Sequence, residues 1–268
     1  MILTKKSFRK ILTMTICYFI LSVSCIVAAI VFSGLGIDAT FLFVLGIIVF
    51  VLMFFVALCG WYAEGKAKLI NLGNKLVRKE LKPGEFIKEY NELKNSENLI
   101  TNKPSTEILS LVAMSYDLLD EKENCILTMS EMLSISSEKK LPYAQLLKAS
   151  FLFDFGEREE AEKLFNEAQK AKLDIMSKAL VDAILKSDRA NAMGDYATAE
   201  VYNLKLLEQK FPKLDRLGLL VTNYFLAEIY EKSNNAEKAI FHFQYCVDNG
   251  GKTAIRQSSK LALERLSK

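Results

Sequence analysis

The sequence predicts an all-α protein, in which an N-terminal transmembrane helical hairpin precedes an α-solenoid of about four helix pairs and a C-terminal capping helix. Two observations predict this fold. Two long apolar runs lie within residues 1–62. Residues 104–268 repeat a helical pattern about every 34–40 residues. Residues 63–103, between these regions, are predicted to form a basic amphipathic helix followed by a polar linker.

The apolar runs Ile11–Phe32 and Ala39–Tyr62 contain no charged residue, and only Ser33–Asp38 separates them. A helix rises about 1.5 Å per residue, so each run is long enough for the roughly 30 Å hydrocarbon core of a bilayer. A cleaved signal peptide is the alternative, but its apolar core is only about 7–15 residues long. Cleavage of a lipoprotein type at Cys25 is a further alternative, although the sequence after it stays apolar. We therefore predict two membrane spans.

The charges around the hairpin predict its orientation. The short loop has no lysine or arginine, whereas both outer flanks are basic. Because basic flanking residues stay on the cytoplasmic side, we expect a two-span protein of the cell membrane with both termini and the repeat domain in the cytoplasm. The basic residues are Lys5, Lys6, Arg9 and Lys10 before the first run and Lys66, Lys68, Lys75, Arg78 and Lys79 after the second.

Small residues recur on one face of the first predicted span, at Ser22, Cys25, Ala29 and Ser33. Small side chains let membrane helices approach each other closely, so this face is predicted to be a helix contact. The contact is either with the second helix of the hairpin or with another membrane protein.

Residues 63–82 are predicted to continue as an amphipathic helix that ends at Pro83-Gly84. The apolar stripe of this helix has two interpretations. The helix lies on an anionic leaflet, where each basic residue contributes about 1 kcal/mol, or the stripe packs on the first helix of the next domain. In the first case the membrane-surface residues are Lys66, Lys68, Lys75, Arg78 and Lys79.

The clearest copy of the repeated pattern begins at Leu226. Leu226, Ala227 and Tyr230 share one helix, and a turn follows at residues 233–235. The next helix carries Ala239, Phe243 and Cys246. This alternation of small and aromatic residues resembles the tetratricopeptide repeat, in which paired helices cross closely at the small residues and stacked repeats provide the core.

The pattern returns upstream, and the predicted turn residues are Asp120, Gly156, Gly194 and Asn234. Ala161 and Ala199 take the place of Ala239 in their copies. The copy around Ala199 departs from the repeat, because Asn203 stands where an aromatic residue is expected. We expect Tyr202 to fill that place, and we expect residues 252–268 to form the capping helix.

Composition excludes several classes of function. Residues beyond the hairpin contain 31 basic and 31 acidic residues, so no basic surface for nucleic acid is expected. The five cysteines include no CxxC motif, so neither a disulfide framework nor a metal site is indicated. His242 is the single histidine and is expected to be a packing residue. The absence of a P-loop, a GxSxG motif or an isolated carboxylate pair predicts no enzyme, no cofactor and no small-molecule substrate.

The resemblance implies a binding surface. Tetratricopeptide arrays bind partners on the concave face formed by the first helix of each pair, and here that face is apolar and aromatic with acidic residues at intervals. It suits an amphipathic helix or an extended peptide with basic residues. The alternative is that several of these side chains pack internally. The implied residues are Met114, Asp117, Tyr143, Leu146, Phe153, Ile184, Asp188, Asn191, Tyr224, Glu228 and Glu231.

We therefore expect a membrane-anchored scaffold that faces the cytoplasm and binds a protein or peptide partner, with the lipid bilayer as its other contact. The composition, rich in lysine, isoleucine and asparagine, is typical of a bacterial protein. The alternative function is that of an integral subunit of a membrane assembly for secretion, transport or envelope maintenance. In that case the hairpin is the interaction surface.

Overall fold

The computed structural model describes residues 40–95, 104–208 and 213–267, together with short pieces between residues 13 and 34. Within these residues all regular secondary structure is helical, which confirms the predicted all-α class. Two π-helical segments, Asn74–Lys79 and Ile184–Asp188, follow the first and the seventh of the helices below. The α-helices, numbered in chain order, are α1 Thr40–Gly73, α2 Pro83–Asn95, α3 Thr106–Asp117, α4 Lys122–Ile135, α5 Leu141–Asp154, α6 Arg158–Gln169, α7 Ile175–Ala183, α8 Arg189–Ala192, α9 Tyr196–Glu208, α10 Arg216–Lys232, α11 Ala236–Asn249 and α12 Ala254–Leu266.

The chain divides into two compact units, Met1–Leu69 and Ile70–Lys268. In the first unit the hydroxyl of Ser22 is buried and donates a hydrogen bond to the carbonyl of Gly46 at 3.2 Å. The small-residue face of the first apolar run therefore contacts the second run at this point. Cys25 and Ala29, which belong to the same predicted face, lie outside the described residues.

The described part of the first unit exposes much apolar surface. Fifteen large hydrophobic side chains there are 40–64% exposed. Among the residues that the structure describes, no helix meets the length and apolar content of a membrane span. Much of the predicted span Ile11–Phe32 and most of the loop after it lie outside those residues. The exposed side chains are Ile16, Ile20, Val23, Val27, Ile30, Val31, Phe32, Val44, Ile47, Ile48, Phe50, Val51, Leu52, Phe55 and Val56.

In the second unit, helices that follow one another in sequence pack together: α3 with α4, α5 with α6, and α10 with α11, on which α12 packs in turn. The residues predicted to be turns lie between the helices of these pairs and before α9. Each of them has a positive φ, between 57° and 81°, which confirms the predicted turns. They are Asp120, Gly156, Gly194 and Asn234.

The core forms where the paired helices meet. Ala161, Ala199 and Ala239 are each 0% exposed, as the close crossing of two helices requires. Aromatic residues fill the space beside two of these alanines, since Phe165 and Phe243 are each 2% exposed and belong to the same hydrophobic clusters. Small side chains at the crossing points and large ones beside them produce the core of each pair.

The expectation that Tyr202 replaces the missing aromatic residue is wrong. Asn203 itself is buried, and its amide donates hydrogen bonds to the Ser187 hydroxyl at 3.2 Å and to the Ala199 carbonyl at 2.8 Å. Tyr202 stays half-buried and lines a surface cavity. Because Ser187 belongs to the second π-helical segment, a polar link joins this segment to α9 where two other pairs have an aromatic residue, Phe165 or Phe243.

Residues 70–82, here called the connector, pack on the repeat helices. Leu76, Val77 and Leu81 are buried, and the first π-helical segment contacts α2, α3 and α10. These three residues of the apolar stripe therefore pack on protein, which is the second of the two interpretations of the stripe.

Glycine at position 73 permits this packing. A Cβ atom added to Gly73 would lie 2.8 Å from the Leu111 side chain and 3.0 Å from the Phe86 ring. Both distances are shorter than ordinary van der Waals contact. The end of α1 can therefore approach α2 and α3 only because position 73 has no side chain.

Candidate functional site

A cavity of about 680 Å³ lies at the carboxyl-terminal ends of α3, α5 and α10, with α8 beside them. The turns after α3 and α5 contribute to its lining, and the first residues of α12 form part of its wall. Since α3, α5 and α10 are the first helices of their pairs, the cavity lies on the helices to which the tetratricopeptide resemblance assigns partner binding. We call it the acidic cavity, for the residues described next.

Six of the eleven predicted binding residues line the acidic cavity. They come from five different helical segments, so the fold brings together side chains that are widely separated in sequence. They are Asp117, Phe153, Asp188, Asn191, Tyr224 and Glu228.

Three predicted binding residues belong to the core, and one of them, Phe153, also lines the acidic cavity. Leu146 and Ile184 are each 0% exposed and pack in one hydrophobic cluster with Phe165. Their burial leaves no surface for a partner, which corrects their assignment to the binding face. In these two copies the position that the resemblance assigns to the groove lies in the hydrophobic core between helices.

The other three predicted residues lie outside the cavity lining. Glu231 accepts hydrogen bonds from the guanidinium of Arg265, at 2.5 and 3.0 Å, and so pairs α10 with α12. Met114 and Tyr143 are half-buried. Burial raises the pKa of Tyr143, and the nearby charge of Arg78 opposes this shift, which places Tyr143 close to the connector.

Negative charge dominates the acidic cavity. Five carboxylates and two cationic side chains line it. In the described residues no group of three or more His, Cys, Asp or Glu side chains is placed to hold a metal ion. The excess of carboxyl groups over cationic side chains favours a positively charged ligand. The charged lining residues are Asp117, Asp120, Asp154, Asp188 and Glu228, with Arg158 and Lys232.

The carboxylates perturb one another. Burial, together with the charge of Asp120, raises the pKa of Asp117 to about 7. Burial also raises the pKa of Asp188 to about 7, although the Ser150 hydroxyl donates a hydrogen bond to its carboxylate. The pKa of Asp154 is raised as well, by burial and by the charges of Asp188 and Asp117. A cation that enters the cavity relieves this repulsion and favours the ionised carboxylates.

Asn191 provides an unsatisfied acceptor in the same cavity. Its side-chain oxygen is buried and has no hydrogen-bond partner. Leaving a buried polar atom unpaired costs about 1–3 kcal/mol. A donor group carried by a bound ligand would remove that cost, so Asn191 adds a hydrogen-bond preference to the charge preference of the carboxylates.

The sequence analysis missed several lining residues, among them Asp154, Tyr196 and Lys232. The ammonium group of Lys232 lies 5.9 Å from the centre of the Tyr196 ring, so these two residues form a cation–π contact at the wall. Asp154 ends α5 shortly before the turn at Gly156, as Asp117 ends α3 shortly before its own turn. An aspartate recurring just before a predicted turn was the available signal.

The predicted membrane-surface residues have varied surroundings. Lys68 pairs with Glu64 at 2.9 Å and Lys75 with Glu80 at 3.6 Å. Arg78 pairs with Asp215, just before α10, at 2.7 Å. Lys66 is half-buried and Lys79 is exposed. Arg78 thus serves as a link within the second unit.

A larger cavity of about 1120 Å³ lies beside α7 and α9. No predicted binding residue lines it within the described residues. It reaches Glu208 and Leu214, on either side of residues 209–212, which lie outside the described part of the chain. The acidic cavity is therefore the candidate site.

Comparisons with protein-family models, with curated proteins and with solved structures gave no match. The functional argument accordingly depends on the residues and geometry of this chain.

Proposed function

We propose that the chain is a membrane-anchored scaffold of tetratricopeptide-like helix pairs that faces the cytoplasm, and that its acidic cavity binds a basic segment of a protein or peptide partner. The observation that carries the proposal is the gathering of five carboxylates around one cavity whose lining also includes the unpaired oxygen of Asn191. A stacked array of helix pairs, with α12 as its cap, is part of the same proposal.

The exposed apolar surface of the first unit supports the anchor. Contiguous apolar surface of this extent marks contact with a membrane or with another protein, because keeping it in water costs about 25 cal/mol per Å². The runs that carry this surface contain no charged residue, and basic residues flank them on both outer sides. Two spans with cytoplasmic termini account for both features.

Thiol labelling tests this topology. We expect Gly36→Cys, made in a chain whose native cysteines are replaced, to react with a membrane-impermeant reagent in intact cells, because the loop between the spans faces outward. Lys268→Cys is expected to react only after the membrane is broken. Labelling at position 268 but not at position 36 in intact cells would show the opposite orientation. Labelling at neither position in intact cells would contradict a loop that faces outward.

The cavity fits a basic side chain within an extended or helical partner segment. A volume of about 680 Å³ accommodates a few side chains and not a whole domain. A lysine or arginine would form charge-assisted hydrogen bonds with Glu228 and Asp154. The aliphatic stem of that residue would lie along Tyr224 and Phe225, which also line the cavity.

Site-specific photocrosslinking in native membranes tests partner binding. A photoreactive phenylalanine at Phe225 is expected to crosslink the partner. The paired substitutions Asp154→Asn and Glu228→Gln should reduce the crosslinked product at least about fivefold, since charged hydrogen bonds contribute roughly 1.5–3 kcal/mol each. The matched control is Glu159→Gln with Glu237→Gln, two exposed carboxylates in the first turns of α6 and α11.

The control pair should leave the yield unchanged. Equal loss in both pairs would show a general charge effect and would contradict the cavity as the binding site. Capture from a photoreactive residue at Phe55, in the first unit, with none at Phe225 would favour the alternative in which the hairpin is the interaction surface of a membrane assembly.

A further inference from the structure

In the second unit, two segments that are distant in sequence contact each other through hydrogen bonds and an ion pair. We call them the latch: residues 80–85, and residues 249–254 between α11 and α12. The backbone N–H of Lys252 donates to the carbonyl of Leu81 at 2.9 Å. The ammonium group of Lys252 pairs with Glu85 at 2.8 Å. The latch therefore has a backbone hydrogen bond in its interior and an ion pair at its surface.

The interior of the latch is unusually tight. Leu81 is 0% exposed and has φ +55°, a left-handed conformation that a branched side chain rarely adopts. Gly251 faces it with φ +58°, and a Cβ atom there would lie 2.7 Å from both the Cβ and the carbonyl oxygen of Leu81. Only glycine fits at position 251, so the contact is sensitive to a single methyl group.

The latch positions the first turn of α12. The guanidinium of Arg216 donates to the carbonyl of Asn249 in the latch at 3.1 Å and to the carbonyl of Lys79, the residue just before the latch, at 3.5 Å, which ties this region to α10. The N–H of Ala254 then donates to the carbonyl of Leu118 at 2.7 Å. Ala254 belongs to the wall of the acidic cavity, as do Ile255 and Ser258.

We propose that the latch controls access to the acidic cavity. When residues 80–85 engage the loop at 249–254, α12 is held as a wall of the cavity. When they separate, α12 moves away and the cavity opens to its partner. The role of the cavity rests on the function proposed above, whereas the coupling of the latch to α12 does not. The connector begins in the last turn of α1 and continues directly into the latch segment at residues 80–85.

Cavity access is measured by alkylation. In the full chain in detergent, Ser258→Cys reports the reactivity of the cavity wall, and mass spectrometry of its peptide separates it from the native cysteines. Adding Gly251→Ala is expected to speed alkylation by N-ethylmaleimide about tenfold, because the new Cβ forces the latch apart and α12 opens locally. Asn234→Ala is the matched control. It places alanine at a left-handed position, φ +57°, outside the latch, and should leave the rate unchanged.

Hydrogen exchange of the same samples shows whether the latch itself has opened. Residues 81–86 and 254–258 should exchange faster in Gly251→Ala. Glu85→Lys, which repels Lys252 at the exposed surface, should produce a smaller rise in the same two segments, and it decides the test if Gly251→Ala fails to fold.

The outcomes separate the two proposals. Faster exchange with unchanged alkylation would overturn control of the cavity, and no change in exchange would overturn the latch. Both measurements are made without a partner, so failure of the photocrosslinking experiment leaves their result intact.

Discussion

Ala239→Trp is expected to lower the free energy of unfolding by about 1–3 kcal/mol or more. Ala239 is 0% exposed and packs in one cluster with Leu226, Tyr230 and Phe243, where α10 and α11 cross. An indole ring has no space there unless the two helices separate. Chemical denaturation of the purified chain in detergent, followed by circular dichroism, measures the effect as a lower midpoint.

The neighbouring residue provides the control. Ile240 is on the same helix but is 37% exposed, so Ile240→Trp should change the free energy of unfolding by no more than about 0.5 kcal/mol. A similar loss in both variants would mean that tryptophan disturbs α11 wherever it is placed. The crossing of α10 and α11 at Ala239 would then be contradicted.

Asp188→Asn is expected to stabilise the protein at pH 8 by roughly 2 kcal/mol, since a pKa shift of one unit is worth about 1.4 kcal/mol. Burial raises the pKa of Asp188 to about 7 in the folded state, from an ordinary value near 3.8. The folded protein therefore holds a proton that the unfolded chain has lost between pH 4 and pH 7. Stability falls as the pH rises through this window, and the amide removes that loss.

Unfolding at pH 5.5 and at pH 8 measures this effect. The native chain should be more stable at pH 5.5 than at pH 8, and the difference should shrink in Asp188→Asn. Part of the difference in stability between the two pH values should remain, because the pKa of Asp117 is raised to about 7 as well. The control Asp248→Asn, at the exposed end of α11, should leave the pH dependence as it is. An unchanged difference in Asp188→Asn would show that this carboxylate does not titrate in the window.

The sequence predicted the features that depend on local chemistry. The all-α class, the turns at Asp120, Gly156, Gly194 and Asn234, and the buried alanines at the helix crossings follow from residue size and backbone preference. These properties act over a few residues, so spacing along the chain is enough to find them.

The predictions that were wrong concern side chains whose surroundings are formed by other helices. Leu146 and Ile184 lie in the core and not at the cavity, because they pack in one cluster with Phe165 on α6. Asn203 satisfies its amide through Ser187, which lies on the other side of the turn in the same copy, and residue type alone does not indicate this hydrogen bond. The contacts of the connector could not be predicted from its own sequence either, because its neighbours Leu111 and Asp215 lie far along the chain.

The latch also imposes an order on biosynthesis. Glu85 and Lys252 are 167 positions apart, and Arg78 and Asp215 are 137 apart. A ribosome delivers the connector before α10 and the loop at 249–254, so the connector surface that packs on these later segments stays uncovered while the helix pairs emerge and fold. Contacts of such long sequence separation form slowly and leave apolar surface open in the meantime. Until residue 252 has emerged, the nascent protein therefore exposes this surface to aggregation and proteolysis.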